Sequence, residues 1–169
     1  MESDVLSCMG SLLKDADNET LRIRRMAERD SEVVAALAGE LGYPNETEAI
    51  RARVRKIGDS DLLLVAVDAN DKPVGFIQAH RVCIIELGFR VEILGLVVSS
   101  SARRSGIARK LIAEMERWAK SIGAEAISVR SSTERIEAHL FYPALGYTKI
   151  KTQAVYAKAV RPGAKRRTR

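Results

Sequence analysis

The chain has 169 residues, 46% hydrophobic and 30% charged, which is the composition of one ordinary globular domain and excludes a fibrous or fully disordered protein. No apolar run approaches the roughly 18 residues that a membrane span needs. The N-terminus carries Glu2 and Asp4 and lacks the basic start of a secretory signal. We therefore expect a cytoplasmic protein with no membrane partner.

The net charge of +6 is concentrated at one end of the chain. Five of these charges lie in residues 161–169, which contain no acidic residue, so residues 1–160 carry a net charge of only +1. Such a tail is typically solvated and disordered, and it binds phosphates without sequence preference. We therefore do not expect nucleic acid as a partner of the domain.

Residues 1–20 predict an N-terminal extension separate from the domain. Their apolar side chains recur at helical spacing and form one stripe, which consists of Val5, Leu6, Met9, Leu12 and Leu13. Two alternatives stay open, a frayed extension and a helix that docks on the domain or on a second copy of the chain. The second alternative, together with a long last strand, is the basis for expecting a homodimer.

The first half of the domain, from residue 21, predicts one strand, two helices and three further strands. Residues 21–26 alternate apolar and basic side chains, which indicates a strand. Asp30 is a candidate N-cap for a helix that ends at Gly42, and Asn45 with Glu48 resembles a capping box for a second helix. Residues 62–67 and 74–85 are strands around a turn at 68–73, and another strand starts at Val91.

Residues 92–108 form the stretch around which the remaining chain is organised. An apolar strand runs into a polar loop with two arginines and Gly106, and a long amphipathic helix follows at once. The first N–H groups of a helix have no intrahelical partner and carry the positive end of its dipole. This stretch therefore predicts a phosphate cradle.

The helix after the loop repeats its apolar residues at Ile107, Leu111, Met115, Trp118 and Ile122. A short strand over residues 126–130, a helix over 134–145 and a long strand over 147–160 complete the domain. The prediction is one α/β (α+β) domain over residues 21–160, with a mixed, mostly antiparallel sheet of six to seven strands and about four helices. The predicted order is β-α-α-β-β-β-α-β-α-β.

Two motifs carry a resemblance to a known family. Residues 103–108 read Arg-x-x-Gly-x-Ala between a strand and a long helix, and residues 138–147 read Ala-x-x-x-Tyr-x-x-x-Gly-Tyr. Either motif alone is a weak signal, but both stand in the right order on the right elements. The chain resembles the GCN5-related N-acetyltransferase (GNAT) superfamily over about residues 21–158.

The resemblance implies acetyl-CoA as donor, bound where two parallel strands separate. The main chain of Leu96, Val97 and Val98 would hydrogen-bond the pantetheine arm as an added strand does. The pyrophosphate would lie against the loop and first helical turn, at Arg103, Arg104, Ser105, Gly106, Ile107, Ala108 and Arg109. No group of His, Cys and acidic residues has metal-ligand spacing, so no metal is expected.

Two residues are candidates for the chemistry. Glu92 is the candidate base for the acceptor amine, and strand alternation predicts that it shares a sheet face with Leu94, Leu96 and Val98. Tyr142, in the second motif, is the candidate acid for the leaving thiolate. The alternatives are a glutamate paired with a surface cation and a tyrosine packed on the sheet.

The two histidines are left undecided by the sequence. His139 stands one turn before Tyr142 and either tunes or replaces it, or is simply a hydrogen-bonded neighbour. His80 faces either the acceptor cleft or the core. The predicted function is acetyl transfer from acetyl-CoA to a primary amine, on a small molecule or a peptide, in a ternary complex. The alternative is a non-catalytic acyl-CoA-binding regulatory module.

Overall fold

The computed structural model describes residues 21–58 and 60–160. These residues form two compact units, the first ending at Arg130 and the second starting at Ser131. The helix predicted within residues 1–20 and the tail at 161–169 lie outside the described residues. In the described part of the chain, no helix is both long and apolar enough to cross a membrane.

The first unit contains a five-stranded sheet whose strands lie side by side in chain order. Its strands are β1 (Arg22–Arg25), β2 (Asp61–Val67), β3 (Pro73–Ile84), β4 (Gly88–Val98) and β5 (Ala126–Val129). Neighbours from β1 to β4 pair antiparallel, whereas β5 pairs parallel to β4. A parallel pair needs a long crossover, which a helix between β4 and β5 supplies.

Helices cover both faces of the sheet. The two helices between β1 and β2 are α1 (Ser31–Glu40) and α2 (Thr47–Lys56), and they lie on one face. Their apolar side chains form a buried cluster with those of β2, against which Phe76 packs; the cluster consists of Val34, Ala35, Ile50, Val65 and Val67. The crossover helix α3 (Ile107–Ser121) lies on the opposite face, since its Ile107 side chain packs over Gly75, the strand neighbour of Phe76. The helical stripe predicted for α3 is confirmed by fully buried Leu111 and Met115.

Asp30 joins β1 to the start of α1 through a buried ion pair. Its carboxylate is 3% exposed, accepts two hydrogen bonds of 2.8 Å from the Arg24 guanidinium, and accepts a third from the N–H of Ala27. Burial alone would raise the pKa of Asp30, but these hydrogen bonds outweigh it and hold the pKa below its ordinary value. Arg24 also bonds Asp71 in the turn between β2 and β3.

The predicted capping box of α2 is wrong. The N-cap position is occupied by Glu46, and the Asn45 side chain instead donates to the carbonyl of Tyr43 and accepts from Arg53. A short polar side chain next to several backbone groups can bond any of them, so the spacing alone does not fix the partner.

A β-bulge in β4 changes which residues share a face. Gln78 lies opposite Gly95 and Ala79 opposite Ile93, so Leu94 has no partner on β3. The extra residue reverses the alternation beyond it. Glu92 therefore shares the α1–α2 face with Gly95 and Val97, and the prediction that placed it with Leu94, Leu96 and Val98 is wrong.

The second unit contains α4 (Ile136–Phe141), a 3-10 turn (Pro143–Leu145) and an irregular segment up to residue 160. The helix is shorter than the predicted 134–145 because Pro143 has no N–H to continue it. The strand predicted over 147–160 is absent, and Ile150, Val155 and Tyr156 are 79% to 92% exposed. The segment pairs with no strand among the described residues, so the sheet has five strands there instead of six to seven.

Candidate active site

β4 has a free edge beyond the bulge. Its parallel pairing with β5 ends at Ile93 opposite Val129, while its pairing with β3 continues to Val98. Within residues 21–58 and 60–160, no strand covers the other edge of β4 from Leu94 onward. This is the edge at which the sequence predicts main-chain donors for a bound ligand.

The direction of the N–H groups decides which residues this free edge offers. The N–H of Ser99, just after β4, donates to the carbonyl of Val74 in β3, and successive backbone groups along a strand point to opposite edges. The backbone groups of Val98 and Leu96 therefore point to the free edge. Those of Val97 point to β3 instead, and its side chain is buried, so two of the three predicted donors are available.

The loop after β4 has the backbone of an anion site. A 3-10 turn (Ser100–Ala102) leads into Arg104 at φ 63° and Gly106 at φ 80°, and α3 begins at Ile107. Residues 103–106 are exposed. The N–H groups of the first turn of α3 therefore face a solvent-exposed loop with two arginines, as the sequence predicts.

The side chains around this loop have distinct roles. Ile107 is 5% exposed and anchors α3 in the core, so only its backbone is available, while Ala108 is half-buried and Arg109 exposed. Ser105 Oγ donates to the carbonyl of Ala102 at 2.6 Å. Arg103 Nε donates to the carbonyl of Val98 at 3.4 Å, which links the loop to the free edge of β4.

Glu40, at the end of α1, also holds the loop, and sequence reasoning missed this role. Its carboxylate accepts a 2.8 Å hydrogen bond from the N–H of Ser100 and lies 3.8 Å from the guanidinium of Arg103. A glutamate 60 positions before Ser100 on an unrelated helix gives no signal of this contact in the sequence.

A row of polar side chains crosses four strands on the α1–α2 face. Asp61, His80, Glu92 and Ser128 are direct cross-strand partners from β2 to β5, and we call them the polar row. Side chains opposite one another share a face and lie about 5 Å apart at Cβ. The row crosses β4 one residue before its pairing with β5 ends.

Two close contacts organise the polar row. His80 Nδ1 lies 2.5 Å from Asp61 Oδ1, and Gln78 Nε2 donates to Asp61 Oδ2 at 2.9 Å. Burial would raise the pKa of Asp61, but the hydrogen bonds from His80 and Gln78 outweigh it and lower the pKa. The Glu92 carboxylate lies 2.6 Å from Arg130 Nε, the pairing that was the alternative to a catalytic role.

A pocket of about 300 Å³ adjoins the row at Asp61. Its lining comes from the ends of β1 and α2 and the start of β2, and consists of Arg25, Met26, Val54, Ile57, Gly58, Asp61 and Leu63. One carboxylate and several apolar side chains in a concave site suit a small polar ligand with a hydrocarbon part.

Tyr142 belongs to the second unit, where it follows α4 directly. Its ring makes edge-to-face contacts with Phe141 and Tyr147, at centroid distances of 5.3 and 5.7 Å. Burial raises the pKa of Tyr142, against a smaller opposing effect of the Arg135 charge, so the phenol stays protonated at neutral pH. His139 Nε2 lies 3.0 Å from the carbonyl of Ser132.

Among the described residues, no three His, Cys, Asp or Glu side chains group as a metal site. The free edge of β4, the loop and the start of α3 thus form one continuous set of backbone donors, with the polar row beside it. The sequence model of the Acetyltransferase (GNAT) family matches residues 32–147. The chain belongs to the GNAT family.

Solved structures agree with this GNAT assignment in fold. An aminoglycoside antibiotic 6'-N-acetyltransferase from Acinetobacter baumannii is 20% identical, with a TM-score of 0.72, and the match covers 83% of this chain and 99% of that one. A transcriptional regulator from Bacillus halodurans C-125 is 25% identical, with a TM-score of 0.71 and coverage of 82% and 99%.

A third structural neighbour was solved with a ligand. AAC(6')-Iy, in complex with the bisubstrate analogue CoA-S-monomethyl-acetylneamine, is 24% identical, with a TM-score of 0.71 and coverage of 82% and 98%. No curated protein matches the sequence.

Proposed function

We propose that this GNAT chain transfers the acetyl group of acetyl-CoA to a primary amine directly, in a ternary complex. The observation that supports this most is the free edge of β4, which runs without interruption into a glycine loop and a helix N-terminus. Acetyl-CoA matches this arrangement. Its extended acyl-pantetheine arm can form strand-like hydrogen bonds with the free edge, and its pyrophosphate can bind at the anion site that follows.

The protein would hold acetyl-CoA through its backbone groups more than through its side chains. Leu96 and Val98 present main-chain groups to the pantetheine arm, and the N–H of Val98 is the proposed donor to the thioester oxygen as negative charge develops on it. The first turn of α3 and the arginines of the loop hold the pyrophosphate. The neighbour solved with a CoA bisubstrate analogue supports this donor.

The acceptor amine would bind at the polar row. An alkylammonium has a pKa of about 10 and must lose a proton before its nitrogen attacks the thioester. Glu92 is the carboxylate proposed to engage the ammonium. Tyr142, protonated at neutral pH, is proposed to give a proton to the leaving thiolate. Because two neighbours are aminoglycoside acetyltransferases, small polar amines are the first acceptors to test.

The test is release of free thiol from acetyl-CoA across a panel of small amines and lysine peptides. We expect Tyr142→Phe to lower kcat by about 10²-fold, the usual size of a lost acid or base contribution. Glu92→Gln should act chiefly on KM, because the amide no longer attracts the ammonium. Tyr156→Phe is the matched control, since Tyr156 is 92% exposed. Full kcat/KM in both test variants would refute the two assignments.

A non-catalytic acyl-CoA-binding regulatory module is the second candidate. The neighbour described as a transcriptional regulator, with a TM-score of 0.71, favours it. Calorimetric binding of acetyl-CoA with no thiol release on any amine would support this candidate over the enzyme.

A further inference from the structure

The contact between Asp61 and His80 fixes the protonation pattern of the imidazole. Nδ1 lies 2.5 Å from a carboxylate oxygen, so in the neutral ring the proton resides on Nδ1, as its donor to Asp61. The other nitrogen, Nε2, then carries a free lone pair. The Asp61 side chain is 10% exposed and that of His80 is 38% exposed, so the orienting carboxylate is buried while the ring reaches solvent.

The strand register places His80 beside Glu92, the carboxylate proposed to bind the ammonium. His80 lies directly across from Glu92, and its strand neighbour on the same face, Gln78, lies across from Gly95, which follows the bulge. The free edge of β4 begins at Leu94, between Glu92 and Gly95. The imidazole and the proposed ammonium-binding carboxylate therefore share one patch of the α1–α2 face.

The Glu92 carboxylate already has a cationic partner. Arg130 Nε lies 2.6 Å from it, so the carboxylate accepts a charge-assisted hydrogen bond there. The imidazole of His80 has a free lone pair on Nε2, and its side chain is 38% exposed. Because imidazole is the side chain that most often serves as a general base, His80 is the better candidate of the two to accept the proton.

We propose that His80 is the base that removes the proton from the acceptor ammonium, and that Asp61 is its positioning residue. In this step an N–H bond of the ammonium breaks, an H–Nε2 bond forms, and the freed lone pair of the amine attacks the thioester carbon. The Asp61 carboxylate keeps its hydrogen bond to Nδ1 and stabilises the imidazolium. This inference rests on the proposed function and assigns its proton transfer.

Other charged groups face the same patch and set its electrostatics. Asp61 on β2 and Glu92 on β4 place negative charge beside the imidazole, whereas Arg90 on β4 and Arg130 after β5 place positive charge near it. Arg25, at the end of β1, lines the pocket with Asp61. The two carboxylates are direct cross-strand neighbours of His80, so they act at the shortest distance.

The first test needs no activity. The chain has two histidines, so nitrogen-15 NMR of the imidazoles, assigned with His80→Gln, reports the tautomer of His80 in the free protein. We expect the proton on Nδ1 in the wild type and a change of tautomer population in Asp61→Asn. A wild-type His80 with its proton on Nε2 would overturn the proposal, whatever the enzyme does.

The second test is the pH dependence of kcat at saturating amine. In the wild type kcat should rise with pH and then level off, because the base must be unprotonated before it can accept the proton. His80→Gln should lower kcat at pH 7 by about 10²-fold, and its rate should keep rising toward the pKa of the amine. Asp61→Asn should lower kcat with little effect on KM.

Arg81→Gln is the matched control, because Arg81 is the exposed neighbour of His80 on the opposite face of β3. Its pH profile should equal that of the wild type. If His80→Gln keeps the wild-type profile and kcat, the assignment is wrong although acetyl transfer stands. If no variant or wild type turns over any amine, the proposed function fails, and the NMR result still decides the tautomer.

Discussion

Gly106 offers the sharpest test of the donor site. Its φ is +80°, and a Cβ added there would meet no heavy atom within 4 Å, so Gly106→Ala introduces backbone strain without a clash. A left-handed residue with a side chain costs about 1–2 kcal/mol. Because the loop is exposed, the alanine of the ligand-free variant can relax to a negative φ. Binding of CoA would then have to return this residue to positive φ, at the cost of that strain. Affinity for CoA should fall by about 5–30-fold, with little change in stability.

Gly123, at the other end of α3, is the matched control. It has φ +74° and equally open space, but the N–H groups of Gly123, Ala124 and Glu125 are all bonded, the last to the carbonyl of Phe89 in β4. Gly123→Ala cannot relax without breaking these bonds. We expect a loss of about 1–2 kcal/mol in the free energy of unfolding and unchanged affinity.

Calorimetric titration with CoA and urea unfolding of both variants measure the two quantities. The assignment of Gly106 to the donor site is refuted if Gly106→Ala binds CoA as tightly as the wild type, or if Gly123→Ala weakens binding to the same degree.

Three further predictions concern stability. Asp30→Ala should lower the free energy of unfolding, measured in urea, by about 3 kcal/mol. This is the low end for a broken buried ion pair, because Arg24 still pairs with Asp71. Asp71→Asn should lower it clearly less. Since the folded pKa of Asp30 lies below its ordinary 3.8, wild-type stability should fall as pH drops below about 4, and Asp30→Ala should flatten this slope. Gly75→Ala should lower Tm, because its Cβ would lie 2.8 Å from the carbonyl oxygen of Val97; an unchanged Tm contradicts this.

The backbone structure of the proposed donor site could be predicted from the sequence because its signals are local. Three signals lie close together in the chain: the glycine of the loop, the start of α3 and the apolar repeat of that helix. Each of them indicates the backbone conformation of the residues that carry it. Leu111 and Met115 are buried as their spacing predicts.

The proposed acceptor half depends on pairing between distant residues, which one sequence does not show. The partner of His80 is Asp61, 19 positions away, and the partner of Glu92 is Arg130, after the crossover helix. The strand predicted at 147–160 has a suitable pattern, but a pattern does not supply a partner strand. Leu94 is one apolar residue among several, and nothing in its surroundings marks it as the bulged one.

The bulge at Leu94 lets one strand serve two independent requirements. Before it, the α1–α2 face of β4 carries the polar Glu92, whose side chain is 21% exposed; after it, the same face carries the buried Val97. If the polar row binds the acceptor as proposed, substitutions upstream of the bulge would alter acceptor preference while the downstream segment keeps its hydrogen-bonding edge. A lineage could diversify its substrates through β2, β3 and the first half of β4 without losing a shared donor.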